Sequence, residues 1–296
     1  MHVRTLAAAV ALALPLAACS QTDDRDSVVV AASAAPAGLD FTTTGGAAAP
    51  QALVGNVYET LVRIDASGTP VPFLARSWDR DGGTFTFHLR DDVTFANGKP
   101  FTADDAAFSI RYVQDEWTNG LKAQMAPVAG VEVLDEHTLR VRVDGGTAAE
   151  DAWLWSMGTL TGAMMTPNGM DNLAAQPVGT GPFEVSRFAP SEFVELKVRK
   201  NYWGKPAAHD VTVRYFPDTI SSVNALQAGG VDVVLVDGTD LDQWRAAVTP
   251  GTKACFFETV SNPTLEVMDI TGIAGIAHAA GALVVADNVF ATPVFS

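Results

Sequence analysis

Two folds in succession are expected for this chain of 296 residues: an α+β lobe over residues 28–230, then an α/β fragment over 231–296. Three observations carry that expectation. Short apolar and alternating runs such as Thr84 to Leu89 (TFTFHL) recur through the first two thirds and are separated by turn residues. After Val231 the pattern becomes regular, with β-type and helical runs taking turns, as in a parallel sheet with helices packed outside. The hydrophobic fraction of 48% is enough to bury cores in both.

The chain opens on an address segment. Arg4 precedes an apolar run from Leu6 to Leu16, too short for a helix to span the roughly 30 Å bilayer core. Leu16-Ala17-Ala18-Cys19 follows and resembles a bacterial lipobox, which implies lipidation of Cys19 and a signal segment over 1–19. Acyl chains on that cysteine would anchor an exported protein to a membrane at the periplasm or cell surface. Residues 20–27 (SQTDDRDS) are polar and read as a tether.

In the lobe, Val28 to Ser33 reads as a strand and residues 34–50 as a loop of small residues. Leu53, Val57 and Leu61 recur at i, i+4 and i+8, which predicts a helix over 52–62. Gly68-Thr69-Pro70 and Asn97-Gly98 mark turns. Thr102 is placed to cap a helix with Asp104 and Asp105 in its first turn. Val131 to Leu134 and Thr138 to Val143 read as two strands across a turn at Asp135-Glu136-His137. Trp153 and Trp155 would share a face if they lay on a strand, lining a core or a cleft. Val178-Gly179-Thr180-Gly181-Pro182-Phe183 suits either a backbone turn needing positive φ or a ligand contact. It is not a phosphate loop, because no Lys-Ser or Lys-Thr follows. Asn201-Tyr202-Trp203 suits packing or ligand stacking.

In the fragment, Val231 to Val236 reads as a strand and Leu241 to Val248 as a helix capped by Asp240. Lys253 to Val260 reads as a strand, Ile270 to Ala280 as a helix closed by Gly281, and Leu283 to Ala286 as a strand. Asn262 and Asp287 fall just past carboxyl ends of strands, where parallel sheets gather functional groups.

Composition narrows the function. A net charge of −15 without a basic run argues against a nucleic-acid partner. Cys19 and Cys255 stand in unlike contexts, so a disulfide framework is not expected. His2, His88, His137, His209 and His278 are scattered, so no metal site is expected. No acid–base or nucleophile–base pair stands out, so no catalytic residue is assigned in the lobe.

The order YETLVRID, PFLARSW, TFTFHLRDDVTFANGKPFTADDAAFS, PVGTGPFEV, KNYWGKPA resembles the family 5 extracellular solute-binding proteins across 28–230. That resemblance implies a lobe of the periplasmic-binding-protein type II kind. It also implies a receptor for peptides or similar solutes that hands its ligand to an ABC permease. Family members run to about twice this length, so the lobe is expected to be truncated.

The segments VDGTDLDQW, FFETVSNPTLEV and IAHAAGALVVADNVFATP resemble the Cys/Met-metabolism pyridoxal-phosphate enzymes, such as O-succinylhomoserine sulfhydrylase and cystathionine γ-synthase. The resemblance implies part of a PLP-transferase large domain of the aspartate aminotransferase type. It places Asp287 at the pyridinium nitrogen and Asn262 near the ring's phenolic oxygen. The family's Schiff-base lysine, glycine-rich phosphate cradle and ring-stacking tyrosine are missing, and Lys253 lacks the lysine's context. The two residues are therefore read as vestigial contacts, with no functional cofactor. The resulting expectation is a solute-binding lipoprotein joined to an enzyme fragment; the alternative is an incomplete, inactive transsulfuration enzyme.

Overall fold

The computed structural model describes residues 27–43, 46, 48–65, 67–258 and 267–287. Cys19 and Asn262 lie outside these residues.

The chain begins with β1 (Ser27–Ala32) and a short α1 (Ala48–Leu53). The helix expected over 52–62 is not found. Helix α1 ends at Leu53, Gly55 takes φ +78°, and the chain from Tyr58 onward runs extended into β2 (Val62–Ile64). The spacing of Leu53, Val57 and Leu61 marked burial correctly, since all three are fully buried, but a tight turn rather than a helix brings them inward.

The strands β3 (Pro70–Pro72), β4 (Ala75–Asp81) and β5 (Thr84–Leu89) follow. β5 alternates as its sequence requires, with Phe85, Phe87 and Leu89 buried and the residues between them half-buried. Helix α2 (Ala103–Asp115) starts at Thr102 as expected. Asp105 accepts from the Thr102 backbone N–H at 3.1 Å, half of a capping box. Next come β6 (Val128–Asp135), β7 (Thr138–Val143) and α3 (Thr147–Ser156). Trp153 and Trp155 lie on α3, not on a strand, so their spacing of two puts Trp153 in the core and leaves Trp155 45% exposed.

An antiparallel sheet in the order β4-β5-β7-β6 carries α2 and α3 on its buried side. A second sheet forms from β8 (Phe183–Ala189), β9 (Phe193–Val198), β10 (Asp210–Tyr215) and the returning β1. Its order is β1-β10-β9-β8, with β1 parallel to β10 and the other pairs antiparallel. One continuous core joins the two sheets, from Phe85, Val141 and Trp153 to Val194 and Leu196.

Helix α4 (Thr219–Gln227) leads to the segment read as the first strand of the α/β fragment. That reading is corrected by the structure. Residues 231–236 form no strand of a separate α/β sheet; Val233 bridges Val30 of β1, and Val231 packs with Val29 and Ala31. The Asp232 carboxylate accepts from the Val29 N–H at 2.7 Å, fixing the register. The β1-β10-β9-β8 sheet thus captures this run at the free edge of β1.

Beyond it stand α5 (Leu241–Ala247), β11 (Ala254–Glu258), α6 (Ile270–Ala279) and β12 (Leu283–Asp287). Asp240 caps α5 by accepting from Asp242 N at 2.9 Å, and Gly281 closes α6 with φ +76°, both as expected. β11 and β12 pair in parallel with Phe256 opposite Val285. Both helices cover one side of this pair, burying Trp244, Cys255, Phe257, Ile273 and Ala277 in a core of their own. The other side shows Phe256, Leu283 and Val285 to solvent. Among the described residues the pair gains no further strand, so the large parallel sheet expected of a PLP-transferase domain is not assembled.

Candidate functional site

The sequence blocks quoted above meet in space around a carboxylate that sequence reading passed over. Glu59 sits in the extended run after α1 and is 1% exposed. Its Oε1 accepts from the Tyr202 hydroxyl at 2.6 Å. Its Oε2 accepts from the Trp203 indole Nε1 and the Thr180 hydroxyl, each at 2.9 Å. Four charge-assisted acceptor positions and three donors make a nearly complete shell. The Glu59 carbonyl also accepts from Met164 N at 2.8 Å.

Burial pushes the Glu59 carboxyl above its ordinary value; the Tyr202, Trp203 and Thr180 hydrogen bonds and the positive charge of Arg199 oppose that rise. Arg199 is itself 4% exposed at the end of β9. Its Nη1 donates to Gly181 O at 2.9 Å and its Nη2 to Thr94 O at 2.9 Å. Burial pulls this guanidinium down from its ordinary value, while Glu59 pulls it back. The Trp203 ring carries the Arg90 guanidinium 4.3 Å above it and meets Phe73 edge-on.

The glycines of Val178 to Phe183 do not serve positive φ. Neither Gly179 nor Gly181 has positive φ. Each lets the backbone lie flat against residues 56–57: Gly181 N donates to Val57 O and Phe183 N to Asn56 O, both at 2.9 Å. A Cβ at 179 would come within 2.6 Å of the Val57 carbonyl carbon. Tyr202 and Trp203 likewise pack and hydrogen-bond inside the lobe. These motifs form a clasp that fixes the strands.

Asp287 ends β12 opposite Glu258, at the carboxyl end where sequence reading put it. Lys253 stands at the other end, its carbonyl accepting from Leu283 N at 3.0 Å. The separation is about 17 Å, five residues of strand at about 3.3 Å each. Asp287 and Lys253 therefore stand at opposite ends of the strand pair. Among them no three His, Cys, Asp or Glu side chains gather as a metal site. No helix among them is long and apolar enough to cross a membrane.

Two sheets joined by one core, with a parallel first strand returning beside β10, define a lobe of the periplasmic-binding-protein type II class. The sequence profile described as bacterial extracellular solute-binding proteins, family 5 Middle, matches residues 69–268, about two thirds of the chain, and the chain belongs to this family. The Escherichia coli nickel-binding periplasmic protein is 31% identical over 185 residues, 60% of this chain and 35% of that protein. The chain therefore spans about a third of the length of this relative. The Helicobacter pylori ABC transporter-associated periplasmic binding protein DppA, solved with the peptide STSA, superposes with a TM-score of 0.62 at 28% identity, over 71% of this chain and 46% of that one. O-succinylhomoserine sulfhydrylase of Mycobacterium tuberculosis is 58% identical over 64 residues, 22% of this chain and 16% of that enzyme. Both resemblances expected from the sequence are thus found.

Proposed function

We propose that this chain is a solute-capturing component of an ABC importer for peptides or nickel complexes, working with a membrane permease. The observation that supports this best is the match of the family profile over residues 69–268 on a lobe whose motifs build a rigid clasp. A rigid lobe suits a receptor, because it offers one preorganised wall of a cleft and loses little order on binding. Titration calorimetry of the full chain with the tetrapeptide Ser-Thr-Ser-Ala and with nickel–histidine should give 1:1 binding of one of them. Absence of heat with both would overturn this reading.

The sulfhydrylase-like stretch is read as enzyme sequence joined to a solute-binding chain. Amplification from source DNA across the codons for residues 220–245 decides between a recombined gene, which yields the join, and a sequence-assembly error, which does not. This stretch supplies no transsulfuration chemistry: the full chain mixed with pyridoxal phosphate should form no borohydride-reducible adduct at a single lysine. Such an adduct would favour the enzyme instead.

Export and anchoring through Cys19 complete the proposal. A palmitate analogue fed to the producing cells should label the wild type and spare Cys19→Ala. Equal labelling of both rules the anchor out.

A further inference from the structure

A cavity of about 840 Å³ opens between the two parts of the chain. One wall is the run 231–236 on the β1 edge; the other is α5 with the start of β11. Apolar side chains dominate both walls, among them Val234, Val236, Trp244 and Val248. The volume lies within the roughly 300–1,000 Å³ of small-molecule pockets.

It carries one charge of each sign. Lys253 is the one cation among the lining residues and has no ion-pair partner among the described residues. Asp232 is the one carboxylate, and it is engaged by the Val29 N–H. An occupant therefore meets apolar walls, one ammonium with no ion-pair partner among the described residues and one carboxylate already accepting a hydrogen bond. The net charge of −15 opposes an anion only weakly at this point, since exposed charges are screened beyond about 8 Å at physiological salt.

We propose that this cavity binds an apolar carboxylate such as a medium-chain fatty acid, its chain between Val236 and Val248 and its head group on Lys253.

The test uses the full chain and fluorescent dansylaminoundecanoic acid, displaced by laurate or by dodecanol. The wild type should bind the probe 1:1. Lys253→Met should weaken laurate about fivefold, the upper value for an exposed ion pair, and leave dodecanol unchanged. Lys253→Arg should restore laurate. Val236→Trp should weaken both by filling the cavity, while Leu283→Ser on the bare sheet face should change neither. If Val236→Trp fails to fold, the laurate–dodecanol split in Lys253→Met still decides. Absence of saturable 1:1 binding overturns the proposal. So does equal response of laurate and dodecanol to Lys253→Met, or loss of binding in Leu283→Ser.

Discussion

Replacing Glu59 with Ala should destabilise the lobe by about 3 kcal/mol, measured by urea unfolding of the full chain. The substitution strands three donors at once. The Thr180 and Tyr202 hydroxyls can turn toward other acceptors, but the Trp203 indole N–H is fixed by its ring. A buried donor left without a partner costs about 1–3 kcal/mol. Arg199 also loses the nearby anion that offsets its burial. Glu59→Gln should cost less than half as much, because it keeps the volume and one acceptor and buries no charge. A loss below 1 kcal/mol for Glu59→Ala would mean that water or repacking replaces the clasp.

The same pair of proteins reports on pH. Burial raises the folded Glu59 carboxyl above its ordinary value of 4.5. The folded state therefore holds this proton more tightly than the unfolded state. Glu59 contributes most to stability below 4.5, and that contribution is lost as pH rises through the folded value. Glu59→Gln has no such proton. Wild-type stability relative to Glu59→Gln should rise as pH falls from 7 toward 4.5, with other titrating groups cancelling in the difference. A constant difference across that range would show that the donors around Glu59 hold its carboxyl at its ordinary value.

Much of the fold was legible because local physics and tertiary packing agree there. Thr84 to Leu89 alternates and lies half in the core; Thr102 and Asp240 cap the helices they precede. Errors fell where distant residues decide. The run 52–62 has helical spacing, yet Gly55 turns the chain so that Glu59 can reach partners elsewhere. Val231 to Val236 carries a strand pattern, but the free edge of β1 takes it out of the sheet it was assigned to. The clasp itself was nearly invisible, since the partners of Glu59 are 121 to 144 residues away. The one local signal was a carboxylate inside an apolar run, between Tyr58 and Leu61. Pairing it with Tyr202 and Trp203 required the fold.

Gly179→Ala should be the most damaging single methyl that can be added to this lobe. The added Cβ would meet the Val57 carbonyl carbon at 2.6 Å and Tyr58 Cα at 3.1 Å. Both are backbone atoms, so no side chain can swing aside. Relief requires residues 178–181 to move off residues 56–58, and that motion opens Gly181 N to Val57 O and Phe183 N to Asn56 O together. It also carries Gly181 O away from Arg199 and Thr180 away from Glu59. Ordinary overpacking costs about 1–3 kcal/mol. Here the clash is with main chain and the displaced bonds include two buried charges, so a loss of at least about 3 kcal/mol is expected. Gly130→Ala provides the contrast, because a Cβ there meets nothing within 4 Å and its φ is not positive. Urea unfolding should show Gly130→Ala within about 0.5 kcal/mol of wild type, as for an ordinary surface change. If Gly179→Ala also stayed within 1 kcal/mol, the segments would not lie in contact and the clasp would be incorrectly described.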